Sequence, residues 1–245
     1  MDVRLSGCAI ALLLAACPGP TATPDAPPEI PDAPGTPDAG ACGDKSYYTA
    51  AIEDWDSSET DFHGVFGAQW TNLAAPAETA STAPNGRIEL CLTRPTPAAD
   101  LDLEVDLPGD YLDAYVVAQP ADFVVPQNVL VARGITATRA AEVYTSAGST
   151  FDAAAGHLLM YFPVDRVAMT LDAAPDFTLA GNDDDGDGAY TWALGDASSA
   201  GRYLLFGNIP LQGGALTITG PAGAELTVDL LPGGLTVVNW PFAFE

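Results

Sequence analysis

The chain has 245 residues, of which 33 are Asp or Glu and eight are Lys or Arg, so its formal net charge is −25. Binding to a nucleic-acid backbone needs clustered cations, and this composition argues against it. Attraction of the protein surface to anionic lipid headgroups is disfavoured for the same reason.

An export signal is predicted for residues 1–16. The apolar run Cys8–Cys17 is shorter than the about 20 residues needed to cross a bilayer, but it fits the apolar core of a secretory signal. The four residues Leu14–Cys17, Leu-Ala-Ala-Cys, resemble the lipobox of bacterial lipoproteins. In that family the cysteine is diacylated and begins the mature protein, so the resemblance implies a lipid anchor on Cys17. The alternative is an ordinary signal peptide with an incidental cysteine.

A disordered tether is predicted for residues 17–41. This segment consists mainly of Pro, Asp, Ala, Gly and Thr, and it has too little apolar bulk to offset the entropy of ordering. Its prolines favour extended polyproline II and its carboxylates repel one another. We therefore expect a semi-rigid spacer some tens of Å long.

The sequence has four cysteines, each with its own expected fate. Cys8 belongs to the predicted signal; Leu5–Cys8 also matches a lipobox, but almost no apolar core precedes it. Cys17 is the predicted lipidation site. Cys42 and Cys91 remain, and an even pair in an exported protein predicts a disulfide. Two buried free thiols are the alternative.

Residues 42–245 are predicted to be all-β. Short runs alternate apolar and polar residues with a period of two, among them RIELCL, LDLEVDL, LTITG, LTVDL and LTVVNW, and Gly or Pro turns separate them. This pattern is typical of antiparallel strands joined by tight turns. The segment Ile135–Gly148 lacks alternation, is rich in Ala and ends in Gly, which predicts a short helix.

Two parts of the β region match at one fixed offset of 115 residues (201 − 86 = 115). The aligned pairs are Gly86 with Gly201, Arg87 with Arg202, Leu90 with Leu205, Pro95 with Pro210, Leu101 with Leu216 and Leu103 with Ile218. The match needs no gap and predicts two related β domains. Chance similarity between two hairpins is the alternative.

The first repeat unit carries a series of residues in a recognisable order. Gly67-Ala68 opens a strand, Thr82 and Gly86 flank a turn, Leu103 and Val105 lie in a later strand, and Gly109 and Tyr111 close the series. In this series the unit resembles the carboxypeptidase regulatory-like domain, a transthyretin-like or prealbumin-like β-sandwich. Asp110 is inserted between the closing Gly and Tyr. The second unit has Val167-Ala168 in place of Gly-Ala and lacks the Gly-Tyr close.

This resemblance implies seven-stranded Greek-key sandwiches, which in the family are accessory, non-catalytic modules of secreted proteins. We therefore expect an all-β chain of two Greek-key β-sandwich (prealbumin-like) domains, at residues 42–132 and 156–245. A helical connector at residues 133–155 is expected to join them.

The sequence contains neither HExxH, the motif of zinc metalloproteases, nor Gly-x-Ser-x-Gly, the motif of serine hydrolases. The two histidines, His63 and His157, are expected at strand ends or on the surface. The four tryptophans are expected in the core, with an exposed platform for sugars as the alternative; they are Trp55, Trp70, Trp192 and Trp240.

One acidic segment has the spacing of a metal loop. Asp183, Asp185 and Asp187, followed by Gly188, match the first six positions of a calcium loop, in which alternate carboxylates converge on the ion. The twelfth position, where a bidentate Glu is expected, is Leu194. A weak calcium site and a plain acidic turn both remain open. A second acidic set is predicted to be a solvated loop and comprises Glu53, Asp54, Asp56, Glu59 and Asp61.

Together these features predict a non-catalytic, exported protein, lipid-anchored to the cell envelope at the outer membrane, on its periplasmic or surface face. Its expected role is structural or binding. The membrane is reached through the N-terminal lipid, and the expected partner is an envelope protein or a glycan. No cofactor is expected, apart from calcium if the acidic segment binds it. Two alternatives are a carbohydrate-binding module, which needs exposed coplanar rings, and an accessory subunit of a secreted hydrolase.

Overall fold

The computed structural model describes residues 42–58, 61–93, 100–118, 129–162, 167–182, 190–195, 201–211, 213 and 215–240. These residues form β-strands and one α-helix, which confirms the all-β prediction. The predicted signal, the predicted tether and Cys17 lie outside the described residues. Within the described part, no helix is both long enough and apolar enough to span a bilayer.

The strands and the helix follow the predicted runs closely. The first half of the chain contains β1 (Ser46–Asp54), β2 (Gln69–Asn72), β3 (Thr79–Ser81), β4 (Arg87–Leu92), β5 (Leu101–Asp106), β6 (Ala114–Ala118), β7 (Val129–Gly134) and α1 (Ala137–Ser146). The second half contains β8 (Gly156–Tyr161), β9 (Thr170–Leu171), β10 (Phe177–Asn182), β11 (Thr191–Leu194), β12 (Tyr203–Ile209), β13 (Leu216–Thr219), β14 (Glu225–Val228) and β15 (Leu235–Asn239). The predicted helix is confirmed, and the Thr136 side chain caps it by accepting from the Arg139 backbone N–H.

The strands form three sheets. A nine-stranded sheet has the order β11-β10-β12-β8-β15-β6-β5-β2-β3, and two three-stranded sheets have the orders β4-β1-β7 and β14-β13-β9. Successive side chains along a strand point to opposite faces of the sheet, and the central strands β8, β12 and β15 are buried on both faces. In β15, Val237 joins the core beneath β4-β1-β7, while its neighbour Val238 joins the core beneath β14-β13-β9. The two small sheets therefore cover opposite faces of the central sheet.

The two halves of the chain repeat one pairing scheme. In the first half, β1 pairs antiparallel with β4 and parallel with β7. In the second half, β8 pairs antiparallel with β12 and parallel with β15. Likewise β5 lies between β2 and β6, and β13 lies between β9 and β14. The 115-residue offset aligned β4 with β12 and β5 with β13, so the aligned strands occupy equivalent positions.

The structure differs from the expected pair of antiparallel sandwiches in its parallel pairings. Within the halves, β1 and β7 are parallel, and so are β8 and β15. β6, at the edge of the first half, pairs in parallel with β15 of the second half, with Ala114 opposite Leu235 and Ala118 opposite Asn239. This pairing continues one sheet across both halves, and the described residues belong to a single compact unit. Alternation along a strand indicates that one of its faces is buried, but it does not specify which strand pairs at its edge.

Asn239 makes a second link between the halves. β7 is the edge strand of its small sheet, and an edge strand has unpaired backbone groups. The Asn239 side chain accepts from the Val131 N–H at 3.0 Å and donates to the Val131 carbonyl at 3.1 Å. One buried amide thus takes the place of a neighbouring strand, which satisfies two backbone groups of β7 where water is excluded.

The residues of the family-like series have structural roles. Thr82 is buried, and its hydroxyl accepts from the Ala68 N–H at 3.0 Å and donates to the Val65 carbonyl at 2.7 Å. Gly86 has a φ of 70°, and a Cβ there would lie 2.5 Å from the Cα of Gly64. Two backbones therefore touch at a place that only glycine can occupy.

The predicted disulfide is confirmed. Cys42 is bonded to Cys91, and their Cα atoms are 5.3 Å apart. Cys91 lies in β4, directly opposite Tyr47 of β1. The bond therefore fastens the segment before β1 to the strand with which β1 pairs.

We predict that the double replacement Cys42→Ser, Cys91→Ser lowers the free energy of unfolding by about 4 kcal/mol, since the bond closes a loop with a sequence separation of 49 residues. Denaturant unfolding of the variant and the oxidised wild type measures the difference. Wild type unfolded under reducing conditions should match the variant. A difference below about 1 kcal/mol would contradict a stabilising role for the bond.

Candidate functional site

A small cleft lies where the ends of β1, β7, β8 and β12 meet. We call it the Arg133 cleft, and its described lining residues are Glu53, Ser58, Phe62, Val131, Arg133, Tyr161, Tyr190, Arg202 and Tyr203. Its volume is about 70 Å³, which is room for a few water molecules or one small functional group. Residues from both halves of the chain contribute to it.

Arg133, in β7, is the central residue of the cleft, and its side chain is only 1 % exposed. Its Nη1 donates to the Trp55 carbonyl at 2.6 Å, and its Nη2 donates to the Ser57 carbonyl at 3.3 Å. Nη2 also lies 3.3 Å from a carboxylate oxygen of Glu53. The buried Nε–H has no hydrogen-bond partner among the described residues. A charge with so little access to water must be held by such partners, which fix the guanidinium in one orientation.

Aromatic rings contact the guanidinium. Its carbon lies 4.8 Å from the ring centroids of both Tyr190 and Tyr203, within the range of cation–π attraction. Tyr190 meets Tyr203 edge to face, with centroids 4.9 Å apart. Tyr161 also contacts Tyr203, with a centroid separation of 5.4 Å and the ring planes 46° apart. The first half of the chain thus supplies the cation, and the second half supplies most of the rings.

The charge in the cleft has the opposite sign to that of the whole chain. Among the described lining residues, Arg133 and Arg202 carry two positive charges and Glu53 carries one negative charge, a local balance of +1. Burial raises the pKa of Tyr203, and Arg133 only partly opposes this effect. Burial also raises the pKa of Tyr161, against the opposing effect of the hydrogen-bonded Arg202. Both phenols therefore stay neutral at physiological pH, and the cleft is suited to binding an anion.

We predict that Arg133→Met lowers the free energy of unfolding by about 3 kcal/mol or more, because it leaves the Glu53 carboxylate and the backbone carbonyls at the cleft without their buried partner. Denaturant unfolding measures this loss. The matched control is Arg139→Met, which removes an exposed ion pair with Asp56 and should cost less than about 1 kcal/mol. Equal losses in the two variants would show that the buried partners of Arg133 do not matter.

The second acidic set is only in part the solvated loop that the sequence predicted, since Asp56 and Asp61 are exposed but Glu53 and Asp54 are not in a loop. Glu53 and Asp54 end β1; Glu53 pairs with Arg133, and Asp54 accepts from the Tyr111 hydroxyl at 2.5 Å. Asp56 forms an exposed pair with Arg139. Asp61 pairs with His63, which is exposed as expected. Glu59 lies outside the described residues. The prediction failed for Glu53 and Asp54 because their partners, Arg133 and Tyr111, come from distant parts of the sequence.

Asp183, Asp185 and Asp187, the predicted calcium ligands, lie outside the described residues, so that site stays a prediction. Among the residues that the structure describes, no group of three or more His, Cys, Asp or Glu side chains is arranged to hold a metal ion.

The tryptophans do not form the exposed platform that a carbohydrate-binding module would need. Trp55, Trp70 and Trp240 are buried. Trp192 is half-buried and stacks on Trp55, with centroids 4.4 Å apart and planes 17° apart. The expectation that the tryptophans belong to the core therefore holds for three of them, and the fourth packs against the first.

His157 was expected at a strand end or on the surface; it is the second residue of β8, at the strand's start, and it is buried there with 1 % exposure. Its Nε2 lies 3.0 Å from the Asp152 carbonyl, which can only accept, so Nε2 carries the proton. Its Nδ1 therefore accepts from the Tyr144 hydroxyl at 2.6 Å. Because Tyr144 belongs to α1, this bond docks the helix onto the central sheet. Burial lowers the pKa of His157, although the hydrogen bond to Asp152 opposes the shift.

We predict that the protein loses stability as the pH falls below about 6.5, the usual pKa of histidine, because the unfolded chain binds a proton that folded His157 resists. The contribution is fully present above the unfolded pKa and is lost as the pH falls towards the lowered folded pKa. Denaturant unfolding between about pH 7.5 and pH 5.5 measures it. His157→Gln should flatten this dependence, and His63→Gln should leave it in place. An identical slope in His157→Gln would contradict the assignment.

A third polar cluster lies at the opposite end of β1. Lys45, the only lysine of the chain, is 3.0 Å from a carboxylate oxygen of Glu78. Burial of Glu78 would raise its pKa, but hydrogen bonds from Thr93, Lys45 and Asn72 outweigh burial and lower the pKa to about 2. The cluster is satisfied by its own members, so it is a structural link between the ends of several strands.

Sequence reasoning missed the Arg133 cleft, although two signals were present. Arg133 interrupts the apolar run VLVARGI, and a cation inside such a run indicates a buried, partnered charge. Arg202 was noticed only as the repeat counterpart of Arg87. The tyrosines could not be connected with either arginine, because the contact depends on how the two halves pack.

No family model matches the chain, and no curated protein matches it. The crystal structure of the shaft pilin SpaA from Lactobacillus rhamnosus GG is 10 % identical with a TM-score of 0.26, and the match covers 82 % of this chain and 99 % of the pilin. GBS52, the minor pilin of Streptococcus agalactiae, is 10 % identical with a TM-score of 0.20, over 81 % of this chain and 98 % of its own. The Bacillus anthracis TIE protein is 9 % identical with a TM-score of 0.22, over 79 % of this chain and 33 % of its own. Likeness at these TM-scores carries no argument about this chain.

Proposed function

We propose that the protein is a non-catalytic lipoprotein of the cell envelope, held at the outer membrane by acyl chains on Cys17. The observation that carries this proposal is the position of the disulfide. The predicted tether ends at residue 41, and the next residue, Cys42, is bonded to Cys91 in β4. In this proposal the predicted tether is followed directly by a covalently closed sheet. Disulfides are also typical of exported proteins.

We further propose that the chain contains two carboxypeptidase regulatory-like modules, at residues 42–132 and 156–245, with residues 133–155 connecting them. The equivalent pairing around β1 and around β8 supports this division. The shared central sheet then joins two Greek-key sandwiches into one body. Such a body serves a structural or binding role towards an envelope protein or a glycan.

We predict that Cys17→Ser releases the full-length protein from membranes, because two acyl chains hold it there and an acidic surface cannot. The protein is expressed with its own leader in a bacterium that processes lipoproteins, and membranes are sedimented after a high-salt wash. Cys8→Ser is the matched control, since it changes a cysteine in the same apolar run. This control should remain in the membrane pellet.

Mass spectrometry of the membrane-bound protein supplies a second readout. The mature chain is expected to begin at Cys17 and to carry the mass of the lipid. A Cys17→Ser protein that still sediments after the salt wash, or a mature chain without lipid, would contradict the proposed anchor.

A further inference from the structure

We propose that the Arg133 cleft binds the carboxylate end of an aromatic monoanion. The inference concerns ligand binding by the folded domain and does not depend on the lipid anchor. It rests on the charge, rigidity, size and lining of the cleft.

The net positive charge of the described lining residues favours an anionic ligand. The described lining residues balance at +1 in a chain whose formal net charge is −25. Two of the eight basic residues of the sequence, Arg133 and Arg202, lie in this one small cleft. Guanidinium groups bind carboxylates through charge-assisted hydrogen bonds. Because the balance is only +1, a monoanion is favoured over a dianion such as a phosphate monoester.

The guanidinium of Arg133 is fixed before any ligand arrives. Two backbone carbonyls, Glu53 and the rings of Tyr190 and Tyr203 hold it in place. Its Nε–H is buried without a hydrogen-bond partner among the described residues, and an unmatched buried donor in a native protein calls for an explanation. An anion bound beside the guanidinium would offset more of its positive charge, and no flexible side chain would have to become ordered.

The size of the cleft restricts what can enter it. Pockets that enclose a whole drug-sized ligand measure about 300 Å³ or more, whereas this cleft measures about 70 Å³. A carboxylate fits, but a complete sugar ring does not. The rest of the ligand must therefore lie outside the cleft, against its rim.

The rim offers flat rings to the body of the ligand. Phe62 is 36 % exposed and Tyr190 is half-buried, so both rings can be contacted from solvent. Arg87 already lies over the Phe62 ring, with its guanidinium carbon 5.6 Å from the centroid. Stacked or edge-to-face contacts with these rings favour an aromatic body over an aliphatic or sugar body.

The experiment uses benzoate as the probe and purified, oxidised full-length protein. Benzoate is titrated at constant sodium concentration while the Nε–H resonances of the arginines are followed by NMR. We expect saturable shifts of the Arg133 and Arg202 resonances with a dissociation constant in the range of about 1–10 mM, as for a small end group. Benzamide, which has the same ring without the charge, should cause no such shifts.

Two variants with equal loss of charge complete the test. Arg202→Gln should weaken benzoate binding about tenfold, because it removes a charge-assisted hydrogen bond at the exposed side of the cleft. Lys45→Gln, at the other end of β1, should leave it unchanged. The proposal is overturned if benzoate causes no saturable shift up to about 50 mM, if benzamide binds equally, or if Arg202→Gln binds like the wild type. Should Arg202→Gln fail to fold, the comparison of benzoate with benzamide still tests whether binding depends on the carboxylate.

Discussion

The structure depends most on the burial of one positive charge. Arg133 extends from β7 into a region where its partners are two backbone carbonyls, one carboxylate and two tyrosine rings. The carbonyls and the carboxylate belong to the first half of the chain, and the rings belong to the second. Losing either set would leave a charge in a poorly solvated place, so the two halves are required to stay together.

Local sequence patterns predicted the elements of this fold but not the way their edges meet. The alternating runs predicted strands such as β4, β5 and β14, since a half-buried strand imposes a period of two on its residues. The disulfide between Cys42 and Cys91 could be predicted because these two cysteines remain once Cys8 is assigned to the signal and Cys17 to the lipid anchor. The pairing of β6 with β15 could not be predicted, because a strand that pairs at its edge with a distant strand has the same alternation as one that does not.

The polar residues of the interior were the hardest to predict, for a related reason. Glu53 was expected in a solvated loop, and His157 at a strand end or on the surface, as such residues are mostly exposed. Each is buried or half-buried because a distant group satisfies it: the Tyr144 hydroxyl in one case and the Arg133 guanidinium in the other. A buried polar group needs a partner with suitable geometry, and that geometry exists only once the tertiary structure has formed.

The position of β15 also determines the order in which the fold can be completed. β15 lies between β6 and β8 in the central sheet, yet it is synthesised after both of them. Until residues 235–239 have been synthesised, β6 and β8 each have one unpaired edge. The Val131 backbone groups of β7 also lack their hydrogen bonds to the Asn239 side chain. Closure of the central sheet therefore waits for a late segment of the chain. Truncation before β15 would leave the edges of β6 and β8 open to aggregation.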